Sequence, residues 1–264
     1  VTIDTTSTNT DGDITFSSTI DGAYNLDLVT DEGNVAIQGT IGGTAALATL
    51  DINIADTQQG TIEIASIGDA NGAGVTGITI IGNDNTATLT LDGTIYKTDN
   101  TQAWIAASGN NMNITGANTA FTTSADNWAV ETANVVLGAS SATTTITTAN
   151  GTVSFPGTIE GTSGGNSENL TISSGSGAVA FQGVIGGTAP LGALTVNSSG
   201  TGTIEITDIG DANNAGTTAT SAIGNTDTVT LTLDGTTYKF DGGVTFTTAS
   251  GENMDLTGGG TTTF

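Results

Sequence analysis

Apolar residues alternate with small or polar ones in short bursts along the whole chain, and the bursts recur. In the stretch Gly177-Ala-Val-Ala-Phe-Gln-Gly-Val-Ile-Gly-Gly187, Val179 and Phe181 show the period of two expected of a half-buried strand, and Gly183 closes it. The same phrase stands upstream as Gly33-Asn-Val-Ala-Ile-Gln-Gly-Thr-Ile-Gly-Gly43. An apolar-x-apolar pair returns as Val153/Phe155, Val179/Phe181, Ile204/Ile206, Leu231/Leu233 and Met254/Leu256, at spacings of 26, 25, 27 and 23 residues. Ile14/Phe16, Val35/Ile37, Ile62/Ile64, Leu89/Leu91 and Met112/Ile114 form a matching series earlier in the chain. A second pair follows in most units, as in Leu26/Leu28, Leu50/Ile52, Leu170/Ile172, Leu194/Val196 and Val244/Phe246. Gly, Asn, Asp and Thr clusters between the pairs predict turns.

The two series belong to two long copies. Ile67-Gly-Asp-Ala-Asn71 returns as Ile209-Gly-Asp-Ala-Asn213, and Tyr96-Lys97 returns as Tyr238-Lys239, both at an offset of 142. The offset is 144 at Gln38/Gln182 and 139 at Phe16/Phe155, so small insertions such as the Thr162-to-Asn166 loop fall in turns. This divides the chain into a first long repeat of about five coils over 1–126, an irregular junction or coil over 127–150, and a second repeat of about five coils over 151–264. The coil phrase fades between Thr122 and Asn150, where Trp128 has no counterpart within 151–264.

A unit of about 25 residues with two or three short strands cannot bury its own apolar face, whereas stacked units bury one another's. The expected fold is therefore all-β, a parallel β-solenoid or β-helix with coils of about 25 residues. Stacked strands lie ~4.8 Å apart, so about ten coils make a rod on the order of 50 Å long. Two tandem immunoglobulin-like β-sandwiches are the alternative, since many short strands with Gly/Asn turns serve either fold. Five returns of one strand phrase within a copy favour the solenoid.

The phrase G-x-V-x-F-x-G-x-I-x-G followed by an apolar-x-apolar pair, as in Gly151 through Ile172 and Gly177 through Val196, resembles the β-helical repeats of large bacterial surface proteins. These are the filamentous-haemagglutinin-like adhesins and the passenger regions of autotransporters. The resemblance covers most of the chain outside 122–150. It implies a secreted, repetitive β-helix with a structural or adhesive role, and it supplies no functional residues.

Composition narrows the partners. With 39 glycines, 2 prolines and 36% hydrophobic residues, the chain has strand and turn chemistry and a thin core. Twenty-six acidic residues stand against two lysines, without histidine, for a formal net charge of −24. Such a surface repels phosphate backbones and anionic lipids, which argues against nucleic-acid binding and electrostatic membrane binding. Cysteine is absent, so thiol chemistry and disulfides are excluded. There is no run of eighteen apolar residues to suggest membrane insertion, and a chain starting at Val1 is expected to be processed or excised from something longer.

Candidate chemistry is sparse. Gly72-Ala-Gly-Val-Thr-Gly77 matches the dinucleotide fingerprint G-x-G-x-x-G, but no helix is expected after it, so it reads as a turn. Lys97 and Lys239 read as cations paired with acidic neighbours such as Asp99 and Asp241, or less simply as isopeptide donors. Asp11/Asp13 and Glu63/Glu205 are the carboxylate pairs to weigh for glycoside hydrolysis, yet cationic groups to hold an acidic sugar are missing. Calcium is the one cofactor considered, with Asp69, Asn71 and Asp84, or Asp211, Asn213 and Asp227, offering oxygens in Gly-rich turns. Asx-turn capping explains those turns without a metal. Thr86-Ala-Thr-Leu-Thr90 and Thr228-Val-Thr-Leu-Thr232 are similar to the threonine arrays of ice-binding solenoids, but the array is not sustained from coil to coil.

No cap is evident at either end, and an open solenoid end exposes strand edges, so self-association end to end is expected. These readings converge on a non-catalytic structural module of an extracellular bacterial filament or adhesin, secreted or at the cell surface. The alternative is a ligand-binding adhesin domain for a glycan or cell surface, in which 122–150 with exposed Trp104 or Trp128 makes the contact. A polysaccharide-active enzyme ranks below both.

Overall fold

The computed structural model describes residues 1–6, 12–30, 32–53, 60–70, 72, 74–124, 126–162, 167–197 and 201–264. Among these residues every regular element is a strand, and the 25 strands join in one sheet whose pairings are all parallel. The tandem β-sandwich alternative is thereby overturned, because sandwich sheets are built from antiparallel neighbours. The chain is a β-solenoid with coils of about 25 residues.

Each coil crosses three faces in a fixed order, here A, B and C. Inward side chains stack in columns along each face, often two side by side, as Leu26/Leu50 stand beside Leu28/Ile52. Face A runs through Ile3, Leu28, Ile52, Ile81 and Trp104 to Val130. It continues from Trp128, on the same strand as Val130, through Val153, Val179, Ile204 and Leu231 to Met254. Face B runs Ile14, Val35, Ile62, Leu89, Met112, Val135, Ile159, Ile185, Ile209, Tyr238. Face C runs Ile20, Ile41, Ile67, Tyr96, Phe121, Ile146, Ile172, Val196, Ile223, Phe246. Aliphatic and aromatic residues dominate these columns because each inward position meets its counterparts above and below, where branched and flat side chains pack well.

The pairs expected to stack do so: Val179 registers with Ile204 and Phe181 with Ile206. The two series nevertheless occupy different faces, since the Ile14-to-Met112 series lies on face B and the Val153-to-Met254 series on face A. The other faces shift in the same sense. Leu28, Ile52, Ile81 and Trp104 on face A correspond to Ile172, Val196, Ile223 and Phe246 on face C, and Tyr96 on face C corresponds to Tyr238 on face B. Phe246 lies six coils beyond Tyr96 on one face, and Tyr238 lies one face before Phe246. The 142-residue offset therefore spans five coils and two of the three faces, an axial rise of roughly 27 Å at the usual strand spacing.

This slip explains the fading of the phrase between Thr122 and Asn150. Strands Trp128–Glu131, Asn134–Leu137 and Thr143–Thr147 carry faces A, B and C through that segment in unbroken register. The coil is intact there, and each of its strands stays on the face of its neighbours.

Corners are reused in the same shifted manner. Thr30 donates its backbone N–H (3.0 Å) and its hydroxyl (3.0 Å) to Asn53 Oδ1, and the hydroxyl also donates to the Gly33 carbonyl (2.8 Å). Ser174 repeats this with Asn197 Oδ1 (3.1 and 2.6 Å) and Gly177 (2.7 Å). Asn53 and Asn197 both take the left-handed conformation, at φ 55° and 52°, which asparagine tolerates better than most residues. The corner leaves face A in the first copy and face C in the second.

Aromatic rings fill the centre of the rod. Tyr96, Trp104, Phe121, Trp128, Phe155 and Phe181 form a continuous chain of ring contacts with centroids 5.1–5.7 Å apart. Trp104 and Trp128 are wholly buried, so the expectation that either is exposed for ligand contact is corrected. An indole points inward here because alternation, and not position in a poorly patterned stretch, sets its direction.

Candidate functional site

Most acidic groups with resolved partners tie one coil to the next. Asp13 Oδ1 accepts the backbone N–H (2.8 Å) and side-chain amide (3.1 Å) of Asn34. Asp21 Oδ1 accepts the N–H groups of Thr44 and Ala45 at 2.8 and 3.0 Å, and these bonds, that of Ala45 foremost, hold its carboxyl below the ordinary value. Glu160 Oε2 serves Thr188 and Ala189, and Asp208 Oδ1 serves Thr236 and Thr237. These carboxylates are capping groups for the turn one coil away.

The proposed hydrolytic pairs are not convergent. Glu63 stands on face B and Glu205, its equivalent, on face A. Asp11 lies outside the described residues, so the Asp11/Asp13 pair is seen only through Asp13.

The calcium candidates divide between corners. Asp69 follows the face C part of strand Thr61–Ile67, whereas Asp84 follows Thr79–Ile81 on face A, so the pair lies in two different corners; Asn71 lies outside the described residues. Asp69 Oδ1 accepts the Gly72 N–H at 2.6 Å. In the second copy, Asp211 Oδ1 accepts the N–H groups of Asn213 and Asn214, each at 2.7 Å, which lowers its pKa. Lys239 Nζ donates to the carbonyls of Asp211 and Ala212 at 2.9 and 3.0 Å, so an ammonium already occupies that turn. Asp227 stands in the turn after Ser221–Gly224 and donates its N–H to Asn225 Oδ1 (2.7 Å). The geometry offers Asx-turn capping at both motifs, and among the described residues no three His, Cys, Asp or Glu side chains converge on a cation position.

Lys239 does not meet the isopeptide requirement of a carboxylate and an Asn amide at the amine, since among the described residues its amine donates to backbone carbonyls. In the fingerprint stretch, Gly74 takes φ +73° and the next element is strand Thr79–Ile81, so the segment turns as expected; Ala73 lies outside the described residues.

Two features were not singled out in the sequence. Asp27 and Asp51 stand in register on face A, and burial, followed by the charge of Asp27, pushes the Asp51 carboxyl up. The signal was present in the equivalent phrases Asn25-Leu-Asp-Leu and Thr49-Leu-Asp-Ile. The other feature is face C from Ala120 to Thr247, whose strands hold no charged residue although the chain carries 26 acids. Recognising it needs the face assignment, which spacing alone withholds.

No family model matches the chain, and no curated protein and no solved structure is similar to it. Among the described residues no helix is long and apolar enough to cross a membrane.

Proposed function

We propose that this chain is a structural repeat module of an extracellular bacterial filament or surface adhesin, contributing reach and stiffness without catalysis. The observation that carries this reading is the passage of the core columns of all three faces from one long copy into the next in continuous register. A rod with one continuous core resists local unfolding and proteolysis because each coil is held by its neighbours. Carboxylates spent on coil-to-coil capping support the same reading, since a hydrolase needs them free and convergent.

Self-association end to end belongs to this proposal. The first coil leaves an apolar hollow lined by Val1, Ile3, Phe16, Ile20 and Leu26, and Met254, Leu256 and Phe264 are exposed in the last coil. A further coil laid on either surface extends the ladders. Electron micrographs of the purified chain at micromolar concentration test the reading: short rods joining into threads of constant width are expected. Separate compact particles, with saturable binding of the chain to glycans or cells, would overturn it in favour of a ligand-binding adhesin domain.

A further inference from the structure

Face C carries two straight rows of hydroxyls. Thr122, Thr147 and Ser173 form one row by register, and Thr145, Thr171 and Thr195 form the other. All six lie at the outward, half-exposed positions of strands whose alternate residues, such as Phe121, Ile146 and Ile172, are buried. Along a strand the rows stand roughly 6.6 Å apart, and along the rod their members repeat at ~4.8 Å. The pairings here show no register shift, unlike the bulged pairing of Val179–Ile185 with Thr203–Ile209, so the grid is regular in both directions.

Some threonine hydroxyls elsewhere serve the fold. Those of Thr119 and Thr148, for instance, donate to carbonyls within their corners. On face C, the hydroxyls of Thr122, Thr145, Thr147, Thr171 and Thr195 hold no hydrogen bond among the described residues. Charge is absent as well. Neighbouring faces carry Glu131, Glu160, Glu205 and Asp208 over the same coils, while face C has none from Ala120 to Thr247.

We infer that this face binds the surface of ice. A hydroxyl both donates and accepts, as each lattice water does, and a two-dimensional grid matches a solid with two repeat directions. Charged groups, which hold liquid-like hydration shells, are the ones missing. A neutral glycan fits less well, because no aromatic ring projects from these strands for a sugar to stack on. Pairing of two such faces would bring together chains that each carry −24. The Thr86-to-Thr90 and Thr228-to-Thr232 stretches do not form this grid: Thr90 stacks between Glu63 and Asn113, and Thr232 between Glu205 and Asp255.

The test is growth of ice from a dilute solution of the fluorescently labelled full chain, with recrystallisation of fine-grained ice as a second readout. The parent chain is expected to enter the ice and slow coarsening. The double variant Thr145→Lys/Thr171→Lys should lose both effects, and Thr90→Lys/Thr232→Lys, altered on faces B and A, should keep them. If the lysine variant on face C fails to fold by circular dichroism, Thr145→Val/Thr171→Val removes the hydroxyls at nearly constant shape and should weaken both effects several-fold. Exclusion of the parent chain from ice overturns the inference. So does equal incorporation of the face C variants, or retention of the chain by an insoluble neutral glycan instead.

Discussion

Tyr96 and Tyr238 hold their hydroxyls in the same bonds on different faces of the rod. Each accepts the N–H of the glycine three residues before it, Gly93 at 3.0 Å and Gly235 at 2.8 Å. Each also reaches two successive carbonyls of the preceding coil: Ile64 and Ala65 for Tyr96, Ile206 and Thr207 for Tyr238. One local device thus works on face C in the first copy and on face B in the second. Equivalent surface motifs consequently point away from one another, so a flat target can engage only one of the two long copies through the same turn.

Burial pushes both phenols up, that of Tyr238 to about 12 and that of Tyr96 further. Below the ordinary tyrosine value of 10 both folded and unfolded chains hold the proton and the contribution is complete; as pH rises from there through the folded values, the unfolded chain ionises first and stability is lost. Thermal melts should be flat to pH 9 and fall steeply above 10. Tyr96→Phe should cost about 1–2 kcal/mol at neutral pH and blunt the alkaline fall. An unchanged alkaline profile in the Tyr96→Phe/Tyr238→Phe variant would show that other groups set it.

At Gly93 the chain turns the corner directly over the carbonyl of Ala65, and a Cβ there would penetrate that oxygen. Gly93→Ala should cost about 3 kcal/mol, near the upper end for overpacking. Gly259→Ala, which meets open space, should be close to neutral in the same urea titration. Equal midpoints for the two variants would rule out the close corner.

Trp128 lies between Phe121 and Phe155, at 5.4 and 5.1 Å, and its indole N–H has no partner among the described residues. Trp128→Ala should therefore cost about 3–5 kcal/mol through the cavity it leaves. Trp128→Phe, which keeps ring contacts and removes an unsatisfied donor, should cost clearly less. Denaturant midpoints decide this, and equal losses would mean that the N–H is bonded after all.

The raised Asp51 carboxyl favours the fold below its ordinary value of 3.8, and that contribution is lost as pH rises through the raised folded value. Asp4, Asp21 and Asp211, all lowered by hydrogen bonds, act in the opposite sense: their contribution is present above 3.8 and lost as pH falls through the folded values. Asp51→Asn should accordingly raise the melting temperature at pH 7 and match the parent at pH 3. Sodium chloride should raise the parent's melting temperature by screening a net charge of −24. Calcium at equal ionic strength is expected to add little, given the backbone bonds already made by Asp69 and Asp211; a calcium-specific rise abolished by Asp211→Asn would establish a site.

Strand positions were legible because Val179/Phe181 and their repeats alternate cleanly, and alternation is all a half-buried strand requires. Face identity was not, since a spacing of 25 residues says that strands stack without saying which of three directions they look. Trp128 and Thr144 concealed the coil over 122–150: an indole and a hydroxyl stand at buried positions where the phrase elsewhere has Val, Ile or Leu. The threonine grid was hidden for a related reason. Its rows cross strands Ala120–Thr122, Thr143–Thr147, Asn169–Ser173 and Leu194–Val196, four segments with no shared motif.

The slip of one face between the copies can be measured directly, because a chain without cysteine accepts paired labels cleanly. Ala129 and Ser154 stand in register on face A, while Val136 faces outward from face B. Pyrene attached to Ala129→Cys/Ser154→Cys should give strong excimer emission, and pyrene on Val136→Cys/Ser154→Cys should emit as the monomer. The reverse pattern, or monomer emission from both, would contradict ladders that run unbroken through the junction while the repeated phrase moves from face B to face A.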